Sequence, residues 1–257
     1  MNLTLPHLPD RTESPRKNGV TMVMDKGLGI KQAEQFIDAS SDYVDIVKLG
    51  FGTSVFSKNL AAKVKIYKEA GFRVYLGGTL FEAFIVRNMF DDYIKFVNKL
   101  NIDHVEVSDG SIEMKHDVKC EYIRKLSKEF TVLSEVGSKE EGIIIHPNMW
   151  ITMMQKELEA GSWKVIAEAR ESGTVGIYRK NGQAHSLLIN KIISKVNPEN
   201  ILWEAPLKAQ QVYFIKLFGA NVNLGNIGYE DVIPLETLRC GLRGDTFFTF
   251  LPKKLQK

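Results

Sequence analysis

HVEVSDG (104–110) is a short strand-like run, with Val105 and Val107, that passes directly into Ser, Asp and Gly. The same design, an apolar run that meets polar or charged residues at its end, recurs along the chain. The other runs are TMVMDKG (21–27), DIVKLGFGTS (45–54), RVYLGGTLFE (73–82), FTVLSEVG (130–137), KVIAEARESG (164–173), ILWEAP (201–206) and VNLGNI (222–227). Their starts lie roughly 20 to 37 residues apart, the spacing of βα units with short loops. They are continuous and rich in Val, Ile and Leu, as strands of a parallel sheet covered by helices are. Eight such units predict an α/β protein with a single (β/α)8 TIM-type barrel, in which the carboxyl ends of the strands line one mouth. The rival, an open doubly wound sheet, needs a Gly-rich phosphate turn after the first strand. The turn here is DKGLGIKQ (25–32), without that spacing.

Between the strands, helical periodicity fills the gaps. Leu60, Val64 and Tyr67 predict a helix over 58–70 stopped by Gly71. Val118, Tyr122, Leu126 and Phe130 predict one over 117–130 with Asp117 as N-cap. Pro147 and Gly161 bracket a third over 147–160. Residues 187–196 and 207–218 read the same way. Residues 1–19 read as an N-terminal arm and 20–257 as the barrel.

Bulk properties narrow the function. With 257 residues, one barrel domain has ample material for a core. The net charge is +3 with acids and bases interspersed, which does not suggest a nucleic-acid stripe but suits small anions. Two cysteines, Cys120 and Cys240, fall on predicted helices and read as small buried hydrophobes in a reducing compartment. The opening segment lacks the apolar core of a signal peptide, and no window reaches the length of a membrane span. The expectation is a soluble, cytoplasmic protein without a membrane or nucleic-acid partner. A homo-oligomer is expected, although its state is not readable from the chain.

The mouth residues carry the chemistry. Strand side chains alternate, so Glu106 and Ser108 share one face, as do Glu168 and Arg170. Glu135 ends the fifth strand, and Glu204 lies near the end of the seventh. Four carboxylates converging from consecutive strands raise one another's pKa values unless a cation intervenes. A hard divalent ion, Mg2+, resolves the conflict, with Glu106, Glu135, Glu168 and Glu204 as candidate ligands. The plainer reading is a network of acids paired with Lys48 and Arg170 that only closes the barrel, whose interior is usually filled by branched aliphatics. Lys26, Lys48, Lys139 and Lys208 end or follow strands and suit a proton donor or an anion clamp. An imine-forming lysine is expected at the end of the sixth strand in aldolases of this fold, where this chain has Glu-Ala-Arg. The turns GFGTS (50–54), GGTLFE (77–82) and NLGNI (223–227) allow backbone amides to approach an oxyanion. They nominate Thr53, Ser54, Thr79, Asn223, Gly225 and Asn226 for substrate binding. The loops after strands 7 and 8, favoured for phosphate, add Lys208 and Arg243, with Arg239 nearby. The five scattered histidines show no zinc spacing, and no nucleophile elbow is present. Trp150, Trp163 and Trp203 read as packing residues.

The segments KLGFGTS, GGTLFE, VEVSDG, LSEVGSK, EARESGTVGI, WEAPLKAQQ, VNLGNI and LETLRCGLRGDTFF, spanning 45–248, resemble those of the phosphosulfolactate synthase family of coenzyme M biosynthesis. The resemblance implies a Mg2+-dependent carbon–sulfur lyase that adds sulfite to phosphoenolpyruvate, giving (2R)-phospho-3-sulfolactate. It implies Lys139 as the acid that protonates a metal-stabilised aci-carboxylate. It also implies that Lys48 and Arg170 act catalytically and grip phosphate and sulfite. The competing expectations are a related barrel lyase or aldolase on another phosphorylated substrate, and a non-enzymatic anion-binding paralogue. Some family members come from bacteria, so the pathway served can differ from coenzyme M synthesis.

Overall fold

The computed structural model describes residue 3 and residues 5–137, 146–170 and 172–256. Eight parallel strands build the sheet: β1 (Thr21–Asp25), β2 (Ile46–Leu49), β3 (Arg73–Leu76), β4 (His104–Val107), β5 (Thr131–Val136), β6 (Ser162–Ala167), β7 (Ile201–Glu204) and β8 (Leu224–Ile227). Their order is β3-β2-β1-β8-β7-β6-β5-β4, so the end strands β3 and β4 come round to lie beside each other in a nearly closed (β/α)8 barrel. Around it run α1 (Ile30–Ser40), α2 (Leu60–Glu69), α3 (Gly78–Ile85), α4 (Phe90–Lys99), α5 (His116–Leu126), α6 (Pro147–Glu159), α7 (Ser186–Ile193), α8 (Lys208–Phe218) and α9 (Val232–Arg239).

The alternation of strand side chains makes two cores. Outward residues such as Val47, Val74, Val105, Val132, Val165 and Trp203 pack beneath the helices. Inward residues Met22, Ile46, Tyr75, Leu133, Ile166 and Leu202, with Val20, fill the barrel itself. A step of two along a strand returns to the same face one layer higher. From Ile46, Leu133, Ile166 and Leu202 that step reaches Lys48, Glu135, Glu168 and Glu204. The aliphatic layer is therefore the floor on which the charged layer stands.

Local signals mark both ends of α6. Pro147 opens α6, where His146 Nδ1 accepts the Asn148 N–H at 3.2 Å. Gly161, at φ 117°, turns the chain out of it. Two expectations change. Helix α5 starts at His116 with Lys115 as N-cap, so Asp117 falls inside the first turn. Its buried face is Lys119, Cys120, Ile123 and Leu126, and Val118 is exposed. The helix turns this way because the Lys119 ammonium is drawn inward, 2.8 Å from Asp109 Oδ1 and 2.9 Å from Glu157 Oε1. The segment 77–82 is also not an open loop. Gly77 is the N-cap of α3, and Gly78–Glu82 is its first turn.

The amino ends of the strands are sealed by arginines. Arg11 Nε donates to Glu236 Oε1 at 2.8 Å, and Arg16 Nη2 donates to the Asp42 carbonyl at 3.1 Å. Arg239 is fully buried and donates to the carbonyls of Ala220, Val222 and Val20. Cys120 and Cys240 are buried and free, as their surroundings predict. Among the described residues no helix is long and apolar enough to cross a membrane.

Candidate active site

Lys48 stands at the centre of the mouth. Its Nζ lies 3.0 Å from Glu106 Oε2, 3.4 Å from Glu204 Oε1 and 3.6 Å from Glu135 Oε2. Burial works against its charge, but Glu106, Glu204 and Glu135 outweigh it and hold the amine well above its ordinary pKa. Lys48 is thus a fixed cation. Glu204 moves the other way: burial pushes its carboxyl up to about 7 despite the opposing Lys48 charge, with Glu135 reinforcing the rise.

Around Lys48 lies a cavity of about 280 Å³, walled by Met24, Phe51, Gly78, Thr79, Glu106, Ser111, Glu135, Glu168, Arg170, Glu204 and Asn226. Glu135, Glu168 and Glu204 each offer an oxygen within 4.8 Å of the others, close enough to share one cation. Asn226, at φ 56°, buries an Oδ1 that has no hydrogen-bond partner among the described residues. Three carboxylates and a carbonyl oxygen form the hard-oxygen set that Mg2+ accepts, so the residues fit that ion. Among the described residues lining the cavity, four carboxylates face two bases, Lys48 and Arg170.

The backbone after β6 orients two of these acids. The Ala169 N–H donates to Glu204 Oε2 at 2.9 Å, and the Arg170 N–H donates to Glu168 Oε1 at 3.1 Å. Arg170 adopts φ 47°, an uncommon conformation for a non-glycine residue that recurs at functional sites. The chain then folds back, with Ile177 N–H donating to the Glu168 carbonyl at 3.1 Å. Gly176, at φ 68°, permits this because any Cβ there would lie 2.0 Å from that oxygen. Behind β5, Lys119 Nζ donates to the Glu135 carbonyl at 2.5 Å and fixes the strand end.

The structure gathers Lys48, Thr79, Glu106, Glu135, Glu168, Arg170, Glu204 and Asn226 from the residues nominated by sequence. Glu106 stands apart from the three clustered acids. Its Oε1 accepts the Gly78 N–H at 2.6 Å, so it is a counterion of Lys48 and a tie to α3. Lys26 and Thr53 line a neighbouring cavity of about 510 Å³, with Lys58 and Lys63. Ser54 is buried, and its Oγ lacks a partner among the described residues. Lys208 is exposed and paired with Asp245 at 3.0 Å. Arg243, partly exposed, is not among the residues lining either cavity. Lys139 lies outside the described residues.

Two nominations are corrected. Asn223 is not at the mouth: its amide donates to the Glu199 and Ile201 carbonyls, and its Oδ1 accepts the Val20 N–H, so it ties the amino ends together. It precedes β8, whose carboxyl end alone reaches the mouth. Gly225 packs inside the barrel, where an added Cβ would meet Met22 Cε at 2.8 Å. Arg239 likewise belongs to the opposite end. Sequence reasoning missed Glu82. Ser108 Oγ donates to Glu82 Oε1 and lies 2.9 Å from Glu135 Oε1, while the Ser111 N–H donates to Glu82 Oε2 at 3.1 Å. The missed signal is helical spacing: Glu82 follows Gly78 by four residues and so lies above it on one face of α3.

Residues 9–245 match the (2R)-phospho-3-sulfolactate synthase family model. The phosphosulfolactate synthase of Bacillus subtilis is 40% identical over 244 residues, covering 94% of this chain and 97% of that protein. The one from Methanothermobacter thermautotrophicus is 41% identical, covering 93% and 95%. Among solved structures, a 3-hexulose-6-phosphate synthase superposes with TM-score 0.54 at 16% identity, over 81% of this chain and 89% of the other. That likeness concerns the barrel alone. Near-complete coverage at about 40% identity places this chain in the (2R)-phospho-3-sulfolactate synthase family.

Proposed function

We propose that this enzyme adds sulfite to phosphoenolpyruvate in a Mg2+-dependent reaction, yielding (2R)-phospho-3-sulfolactate. The observation that carries the reading is the Glu135–Glu168–Glu204 cluster facing a fixed ammonium inside one small cavity. The sulfite sulfur lone pair forms the C–S bond at C3, and the C2=C3 electron pair moves toward C2 and the carboxylate. Glu135, Glu168 and Glu204, with Asn226 Oδ1, would hold Mg2+, which when bound stabilises developing negative charge by several kcal/mol. C2 then takes a proton from an ammonium group, and solvent restores it.

Lys139 is the proposed donor. In sequence it follows Glu135 by four residues and Gly137 by two. A positioned acid of this kind contributes about 10² to 10⁴ in rate. Lys48 serves a different end. Held charged among acids, it is neither a base nor an imine-forming nucleophile, and its task is to attract anions into an acidic cavity. Arg170, on the cavity wall, supplies the planar fork suited to a phosphate or sulfonate. The thick aliphatic floor keeps water from entering below the reacting atoms.

The test is direct. Purified protein with phosphoenolpyruvate, sulfite and Mg2+ should give an acid-stable sulfonate, followed by phosphorus and proton NMR. Lys139→Ala should lose at least about 10² of the rate. No consumption of phosphoenolpyruvate by folded protein would exclude the reading. Trapping of a substrate imine by borohydride would point instead to aldolase chemistry.

A further inference from the structure

The barrel is held by hydrogen-bonded ladders at every junction except one. No ladder joins β3 to β4, the two ends of the sheet order. At the mouth this seam is crossed instead by carboxylates. The Gly78 N–H of α3 reaches Glu106 of β4, and the Ser108 hydroxyl and Ser111 N–H beyond β4 reach back to Glu82 of α3. Glu82 is 1% exposed. A buried carboxylate is costly unless its oxygens are well used, and here they accept from two donors on one turn.

That turn is part of the cavity. Ser111 lines it, and the Ser108 hydroxyl also faces Glu135 Oε1. We propose that Glu82 is a positioning residue that closes the β3–β4 seam at the mouth, fixing the Ser108–Ser111 turn and with it the Ser108 hydroxyl, whose single proton serves Glu82 or Glu135, against the Glu135 carboxylate. The proposal rests on the reading above for the reaction that feels the loss and for Glu135 as a metal ligand. Glu82 does not line the cavity and acts through Ser108 and Ser111.

The carboxylate accepts at both oxygens, one toward Ser108 and one toward Ser111. Gln could still serve both, its oxygen on the Ser111 N–H and its NH2 on the Ser108 oxygen, whereas Met has similar bulk and satisfies neither. Hydrophobic packing around α3, through Leu80 and Phe81, is untouched by the change.

The experiment compares wild type, Glu82→Met, Ser108→Ala and the double variant. Amide hydrogen exchange at Ser111, measured without metal or substrate, should speed up by at least about tenfold in Glu82→Met, while melting shifts by only a few degrees. Dissociation constants for Mn2+, by calorimetry, should rise at least about tenfold in Glu82→Met and in Ser108→Ala, and less than additively in the double variant. Under turnover, kcat/KM should fall by a similar factor, with rescue by added Mg2+. Unchanged Ser111 exchange with unchanged Mn2+ affinity would overturn the proposal. Failure of wild type to turn over phosphoenolpyruvate would refute the functional reading instead, and exchange at Ser111 would still decide the role of Glu82.

Discussion

Lys48 Nζ and Glu106 Oε2 lie 3.0 Å apart with both side chains nearly enclosed, and the second Glu106 oxygen takes the Gly78 N–H. One carboxylate thereby ties the cation of the mouth to the helix across the open seam. The Lys48 charge in turn stands between Glu106, Glu135 and Glu204.

Removing that charge leaves the acids facing one another. Lys48→Met should destabilise the metal-free protein by about 3–5 kcal/mol, the usual result of breaking a buried pair from one side. Urea unfolding with and without Mg2+ checks this. A divalent cation should recover part of the loss, and a variant as stable as wild type would show that the acids do not need Lys48.

Glu204 gives a pH-dependent prediction. Its folded carboxyl titrates near 7 against 4.5 for the free group, so the metal-free fold favours the protonated form. The stability penalty is absent below about pH 4.5, grows as pH rises and is complete above about 7. Glu204→Gln should therefore raise metal-free stability by roughly 2–3 kcal/mol at pH 8 and by little at pH 5, while abolishing stabilisation by Mg2+. Melting curves at the two pH values decide it, and equal gains at both would contradict the assigned cause.

Gly78 tests the seam. A Cβ there would sit 2.4 Å from Ser108 Cβ and 2.6 Å from Glu106 Oε1. Gly78→Ala should cost about 1–3 kcal/mol from overpacking and disturb activity more than its stability loss explains. Neutral behaviour in both unfolding and turnover would mean that α3 and β4 separate easily.

Arg239 provides the contrast at the other end of the barrel. Its guanidinium donates to three buried carbonyls, which Arg239→Met would orphan. Stability should fall by roughly 3 kcal/mol or more. For the proposed reaction, the KM for phosphoenolpyruvate and kcat, measured below the new melting temperature, should stay within about twofold, since the proposed site lies at the mouth.

The eight strands were legible because parallel strands buried on both faces are continuous apolar runs. Glu135, Glu168 and Glu204 were legible because each lies two residues beyond an inward aliphatic. Asn223 was misplaced because a polar residue beside a strand does not reveal which end of that strand it serves. Glu82 stayed hidden in GGTLFE because the two glycines read as a loop, whereas they cap and begin a helix whose fifth residue points at β4. Val118 misled in the same way, since the buried face of α5 carries the ion-paired Lys119 beside Cys120, Ile123 and Leu126.

The central claim is that Glu135, Glu168 and Glu204 converge to hold one divalent cation. Calorimetric titration of Mg2+ into metal-free protein at pH 8 tests it most directly. One ion should bind per chain, and Glu168→Gln, a change at an acid not ion-paired to Lys48, should weaken binding by at least about tenfold while the protein stays folded. Saturable binding that survives Glu168→Gln unchanged, or no binding by the wild-type chain, would contradict the claim.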